Sequence, residues 1–401
     1  MQKTVDNPKK GLTIRKLPKI WLSSPHMGGG EQAYVKQAFD TNWVAPLGPN
    51  VNAFEERIVK HTDCGHAAVL NSGTAALHLA LIMLGVGRDD YVICQTFTFA
   101  ASANPIRYLG AVPVFVDSES ETWNICPQAV EDAIKGCLAG TNGSRAKLPK
   151  AIVCVDLYGM PAKLHELREL AQKYGIPLVE DAAEALGSTY GGKHCGTFGD
   201  IGIFSFNGNK IITTSGGGAL VSKNEHYANR ARFLATQARE DFSHYEHQEI
   251  GYNYRMSNIS AGIGRGQMDV LDERVAQRRH NFQFYRNALE RYDGVEFIDE
   301  PNGSFSNRWL STMLIRPELT GGVTREDIRV SLLSENIESR PFWKPMHLQP
   351  VFSRMPYAGG TVARHLFDLG LCLPSGSNLR EEDLDRVIRG IRKVLEAKRN
   401  S

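Results

Sequence analysis

Between residues 112 and 181 the hydrophobic period switches repeatedly, and this restricts the fold more than any other feature of the chain. VPVFVD (112–117) and AIVCVDL (151–157) are continuously apolar and read as strands. Leu164, Leu167, Leu170, Ala171 and Tyr174 mark one face of a helix that feeds a further strand at 176–180. Strands apolar on both faces, in strand-helix-strand order, call for a largely parallel sheet covered by helices. Ligands of such sheets bind beyond the carboxyl ends of the strands, and Asp181 stands at such an end.

The flanking segments extend this plan. EQAYVKQAFD (31–40) has helix-forming composition. NSGTAALHLALIMLG (71–85) predicts a helix capped by Ser72 and closed by Gly85, apolar almost all round and therefore interior. Residues 137–149 are polar and rich in Gly and Lys, as in a surface insertion. From 257 to about 292 the composition suits one long connecting helix into a second unit, which holds a strand at 309–315, an Arg-Pro-rich loop at 340–350 and a charged helix at 381–398. A chain of 401 residues exceeds one minimal domain. The expectation is a flexible basic leader (1–20), a large α/β domain (21–270) and a smaller C-terminal α/β domain (271–401).

Composition removes several classes of function. The 46 basic and 44 acidic residues leave a net charge of +2, with no general pull toward nucleic acid or membrane. The most apolar run, 75–86, is broken by His78 and too short to span a bilayer. Seven cysteines form no C-x-x-C pair, and no metal site is expected; their odd number argues against a full disulfide framework and suits a reducing, cytoplasmic compartment.

The chemistry-bearing residues lie on the expected sheet edge. Ser72, Gly73 and Thr74 open the buried helix, where free N–H groups and the positive dipole end suit a phosphate, although the same triplet caps helices that bind nothing. Asp181 would meet a protonated ring nitrogen well; capping the next helix fits it equally. Lys210 follows a Ser205-containing strand and precedes glycines 216–218, which let the backbone fold closely around a flat ligand. A lysine held beside an aldehyde forms a Schiff base, and Phe99 is placed to stack on a ring. Together these residues meet the needs of pyridoxal 5'-phosphate (PLP).

The segments NSGTAALHLAL, EDAAEALGSTYGG, FGDIGIFSFNGNKIITTSGGG and GYNYRMSN resemble the motifs of the DegT/DnrJ/EryC1/StrS sugar aminotransferases, a branch of the fold-type I PLP enzymes, and the likeness runs from about residue 20 onward. The resemblance implies Lys210 as the cofactor lysine and proton shuttle, Asp181 on the pyridine nitrogen, Phe99 over the ring, Gly73, Thr74 and Ser205 on the phosphate, and Glu184 near the cofactor hydroxyl. It also implies a homodimer in which Asn253 reaches the neighbouring subunit's phosphate and Arg255 faces the substrate. SSPHMGGGEQAYVKQAFDTNWVAPLGPNV, RPFWKPMHLQPVF and LCLPSGSNL are similar to the subgroup that aminates UDP-4-keto-6-deoxy-N-acetylglucosamine on the bacillosamine route. That likeness implies L-glutamate as donor, amination at C4, and Met27, Gly28, Trp343, Lys344 and His347 near the sugar nucleotide. The rival readings are amination at C3, a dehydratase, which Lys210 opposes, and a non-catalytic PLP-binding regulator, for which no DNA-reading module is visible.

Overall fold

The computed structural model describes residues 17–141 and 146–399. Eight strands form the main sheet: β1 (His66–Leu70), β2 (Tyr91–Gln95), β3 (Val112–Val116), β4 (Ala151–Val155), β5 (Leu178–Asp181), β6 (Ile201–Ser205), β7 (Gly218–Ser222) and β8 (Tyr357–Ala358). Their spatial order is β1-β7-β6-β5-β4-β2-β3-β8. Every pairing from β6 across to β8 is parallel, whereas β7 runs antiparallel to both of its neighbours. The period switching thus yields the covered, mainly parallel sheet it predicts, because β2, β4 and β7 are buried at every position. One face packs against Phe54, Ile58, Leu164, Leu167 and Phe206, and the other against Leu77, Leu81, Ile106 and Leu234.

A second, antiparallel sheet of four strands, Val295–Phe297, Ser311–Ile315, Gly370–Leu373 and Arg340–Pro341, is covered by helices Leu271–Leu289, Arg325–Ser334 and Glu381–Arg399. A short three-stranded sheet pairs Ser304–Phe305 with the hairpin Thr189–Tyr190 and Lys193–His194.

Three expectations need correction. The long helix expected over 257–292 is two helices, Asn258–Met268 and Leu271–Leu289. The first carries Gly262, Gly264 and Gly266, and a Cβ at Gly266 would lie 2.7 Å from the Glu31 backbone nitrogen. It is therefore packed tightly onto the N-terminal helices, and the chain turns at Val270 to reach the second sheet. The insertion expected at 137–149 begins too early: Cys137 is fully buried on helix Pro127–Ala139, which ends at Gly140 in the left-handed conformation, while residues 142–145 lie outside the described residues. Of the expected leader, residues 1–16 also lie outside them, whereas Ile20 is buried, bridges to Ile337 and joins the core of the second sheet. All seven cysteines are free thiols, and no described helix is long and apolar enough to cross a membrane.

Candidate active site

At the carboxyl edge of β4, β5 and β6 the chain encloses a cavity of about 410 Å³. Ser72, Gly73, Thr74, Phe99, Asp181, Glu184, Ser205, Lys210 and Trp343 all line it, so most of the expected cofactor residues come together.

The seat expected to take a phosphate is built from backbone. Ser72 is extended (φ −165°, ψ 159°) and its hydroxyl accepts from Ala75 N at 3.0 Å, which caps helix Gly73–Met83 and leaves its first N–H groups at the cavity rim. Gly73 lies against Ser205, since a Cβ there would sit 3.2 Å from the Ser205 Cβ. Gly218 is packed closer still: its Cβ would fall 2.3 Å from Gly73 N. Among the lining residues Lys210 is the one cation, so an anion bound at this seat is met by helix N–H groups and hydroxyls.

Asp181 and Glu180 show what strand alternation does. Successive side chains of β5 point to opposite faces. Asp181 lines the cavity; Glu180 is turned away and accepts from the N–H groups of Gly196, Phe198 and Gly199. Burial pushes the Asp181 carboxyl above the usual range, while the Ser102 hydroxyl, donating to Oδ2 at 2.6 Å, the Ala183 N–H and the Lys210 charge hold it down. Ser102 in turn is hydrogen-bonded to the Thr98 hydroxyl at 2.8 Å.

Lys210 is nearly buried, with 11% of its side chain exposed. Its Nζ lies 3.3 Å from Glu184 Oε1 and 4.1 Å from the centre of the Trp309 ring. Glu184 Oε2 accepts from the Tyr158 N–H at 2.7 Å; burial raises the Glu184 carboxyl and the Lys210 charge opposes that rise. Phe99 is 59% exposed and meets Trp343 edge to face at 6.3 Å, so the mouth of the cavity is aromatic.

Six expected residues are absent from the cavity lining. Gly28 N–H donates to the buried Glu31 carboxylate at 2.6 Å and the Met27 carbonyl accepts from Arg274, which makes this turn part of the scaffold. The Asn253 side chain is exposed and its carbonyl accepts from Asn71 Nδ2 at 3.2 Å. Arg255 bridges to Leu70, and burial lowers its pKa while Glu55 opposes that fall. Lys344 points to solvent, with its carbonyl held by Gln349. His347 is stacked on Tyr357 at 4.0 Å and hydrogen-bonded through Nδ1 to Thr96 at 2.7 Å; burial lowers its pKa.

Sequence reading missed Thr98, Ser102, Asn209 and Trp309. The only local signal was that Thr98 and Ser102 sit in the same loop as Phe99.

A cavity holding a lysine beside a carboxylate, a buried strand-end aspartate and a cation-free helix N-terminus fits PLP in size, charge and donor set. The family model of the DegT/DnrJ/EryC1/StrS aminotransferase family matches residues 25–392. EpsN of Bacillus subtilis (strain 168), described provisionally as a pyridoxal phosphate-dependent aminotransferase, is 54% identical over 374 residues, 92% of this chain and 94% of that protein. GDP-perosamine synthase of Escherichia coli O157:H7 is 36% identical, covering 93% of this chain and 97% of that one. The structure of Spr1654 from Streptococcus pneumoniae in its PLP form is similar at a TM-score of 0.83 and 25% identity, over 95% of this chain and 99% of the other.

Proposed function

The chain belongs to the DegT/DnrJ/EryC1/StrS aminotransferase family, whose cofactor is PLP, and on that premise we propose that it moves the amino group of L-glutamate to the C4 ketone of a UDP-linked 4-keto-6-deoxy-N-acetylhexosamine. The product would be UDP-2-acetamido-4-amino-2,4,6-trideoxyglucose. The observation that carries the reading is the placing of Lys210 and Asp181 in one cavity, with Lys210 Nζ 3.3 Å from Glu184. When bound, PLP supplies an aldehyde and an electron-withdrawing ring that acidifies the α-carbon of an attached amine.

The protein's own groups have distinct tasks. The N–H groups that open helix Gly73–Met83, with Thr74 and Ser205, hold the phosphate. Asp181, kept ionisable by Ser102, carries the negative charge that retains a proton on the ring nitrogen. Lys210 would be the group that meets the cofactor aldehyde and, as a free amine, the base that moves the α-proton, with the Glu184 carboxylate 3.3 Å away to stabilise the ammonium that holds it. Phe99 and Trp343 form an apolar lip that limits water and offers stacking area to a nucleotide sugar.

Support for a nucleotide-sugar acceptor comes from the relative named for a GDP-linked amino sugar. The exposed Asn253 and the half-open Phe99 suit a homodimer in which a second copy completes the mouth of each cavity. Seven free thiols suit a reducing cytoplasm.

The test is incubation of the PLP-loaded protein with L-glutamate and UDP-4-keto-6-deoxy-N-acetylglucosamine, followed by NMR assignment of the new amine. An equatorial amine at C4 with stoichiometric 2-oxoglutarate is expected, and Lys210→Ala should abolish both. An amine at C3, or no turnover of this sugar, would overturn the substrate reading.

A further inference from the structure

Arg278, on helix Leu271–Leu289, is 1% exposed and is one of the largest fully buried side chains. Among the described residues no carboxylate pairs with it; its charged neighbour is Arg274, and burial together with that like charge lowers its pKa to about 9. A guanidinium buried without an anion is unfavourable unless its N–H groups find acceptors. The acceptors here are the Trp309 carbonyl, the Ser23 hydroxyl at 3.0 Å and, at a longer 3.4 Å, the carbonyl of Lys210 itself.

These acceptors converge on the cofactor lysine. The Ser23 hydroxyl and the Trp309 indole N–H both donate to the Asn209 carbonyl, at 2.6 and 2.7 Å. The same indole ring lies 4.1 Å from Lys210 Nζ. A closed ring of hydrogen bonds therefore runs Arg278, Ser23, Asn209, Trp309 and back to Arg278, joining four segments that are remote in sequence. Arg278 is absent from the cavity lining, so it acts on the site through this ring and through its bond to the Lys210 carbonyl.

We infer that Arg278 is a positioning residue for Lys210. It fixes the main chain at Asn209 and Lys210 and the plane of the Trp309 indole, so that Nζ is held between that ring and Glu184. A small-domain helix thereby sets the height of the reactive amine in a cavity that the large sheet builds. A buried, multiply bonded guanidinium suits this task better than an ammonium, because its planar fork reaches several carbonyls at once.

The inference rests on Lys210 being the cofactor lysine, and the experiment separates the two. Apoproteins carrying Arg278→Met, Arg278→Lys or Ser23→Ala are loaded with PLP. Visible circular dichroism of the bound cofactor is recorded, borohydride capture at Lys210 is followed by peptide mapping, and the thermal midpoint is measured beside both. Arg278→Met should flatten the dichroism and slow capture at Lys210 about tenfold, since misplacing a reacting group by about 1 Å has effects of that order or larger. Arg278→Lys should recover part of both signals, and Ser23→Ala should move them the same way, less far. Dichroism and capture unchanged in Arg278→Met, even with a lowered thermal midpoint, would overturn the inference by showing a structural role alone. If Arg278→Met does not fold, Ser23→Ala decides: altered signals support the inference and unaltered ones overturn it. Capture on a different lysine in the unsubstituted protein would instead overturn the site assignment.

Discussion

Replacing Gly218 by alanine tests the proposed phosphate seat most directly. The added Cβ would lie 2.3 Å from Gly73 N, 2.4 Å from Ser72 C and 2.7 Å from Gly73 Cα, all backbone atoms that cannot rotate aside. Ordinary contact needs about 3.4 Å or more, so the two backbones must separate by roughly 1 Å. β7 is hydrogen-bonded on both sides, to β1 and β6, and is the less movable partner. The start of helix Gly73–Met83 must therefore shift, taking its N–H groups with it. Overpacking of this kind costs about 1–3 kcal/mol of stability. A displacement near 1 Å at a binding group is also expected to weaken PLP binding on the order of 100-fold. Gly216, two residues earlier, is the control for stability: its nearest non-neighbouring atom would be 3.9 Å from a Cβ and its φ is not positive. Thermal unfolding and fluorescence titration of the apoprotein with PLP measure both effects. Gly216→Ala should keep its thermal midpoint within about 1 °C of the parent, as expected for a substitution with no steric conflict. A Gly218→Ala protein with parental stability and parental PLP affinity would refute the reasoning.

Two further outcomes follow from the buried carboxylates. Ser102→Ala removes the 2.6 Å donor to Asp181 and should raise the pH at which that carboxyl ionises in the apoprotein, read from the pH dependence of its protonated carboxyl infrared band; an unmoved band would refute the assignment of Ser102. Asp156 is fully buried with Oδ2 unpartnered, and it faces Glu180, Cys195, Cys154 and Asp181; burial first, and then the Glu180 charge, push its carboxyl well up, and Glu180 is the better acceptor because it already receives three backbone N–H bonds. A raised carboxyl contributes stability that is complete below the unfolded value near pH 4 and is lost as pH rises through the folded one. Asp156→Asn does not titrate, retains an oxygen for the Ala162 N–H and offers an amide donor to Glu180, so its thermal midpoint relative to the parent should be more favourable at pH 8 than at pH 5. A difference independent of pH would show that Asp156 does not carry the proton.

What could be read from the chain was what depends on near neighbours. The cap at Ser72, the strand end at Asp181 and the glycines at 216–218 are local statements about dihedrals, donors and side-chain period, and the structure places them together. The expected roles of Met27, Gly28 and His347 rested on likeness between loops; in the structure the Gly28 N–H is taken by Glu31, the Met27 carbonyl by Arg274, and the histidine by Thr96 and Tyr357. The break at Val270 escaped notice because helical composition continues across it. Its cause, the seating of Gly264 and Gly266 against Phe54 and Glu31, involves residues more than 200 positions away.

By itself the sequence determined the mainly parallel sheet, the helix end that suits a phosphate and the lysine and aspartate that suit PLP, because hydrophobic period and capping act over a few residues. Only the tertiary structure decided how the lysine is held. Ser102 reaches Asp181 across 79 positions, Trp309 lies against Lys210 from 99 positions away, and Arg278 ties Trp309 and Lys210 to Ser23. Such contacts are set by how helices and sheets pack in three dimensions, and no periodicity along the chain encodes them.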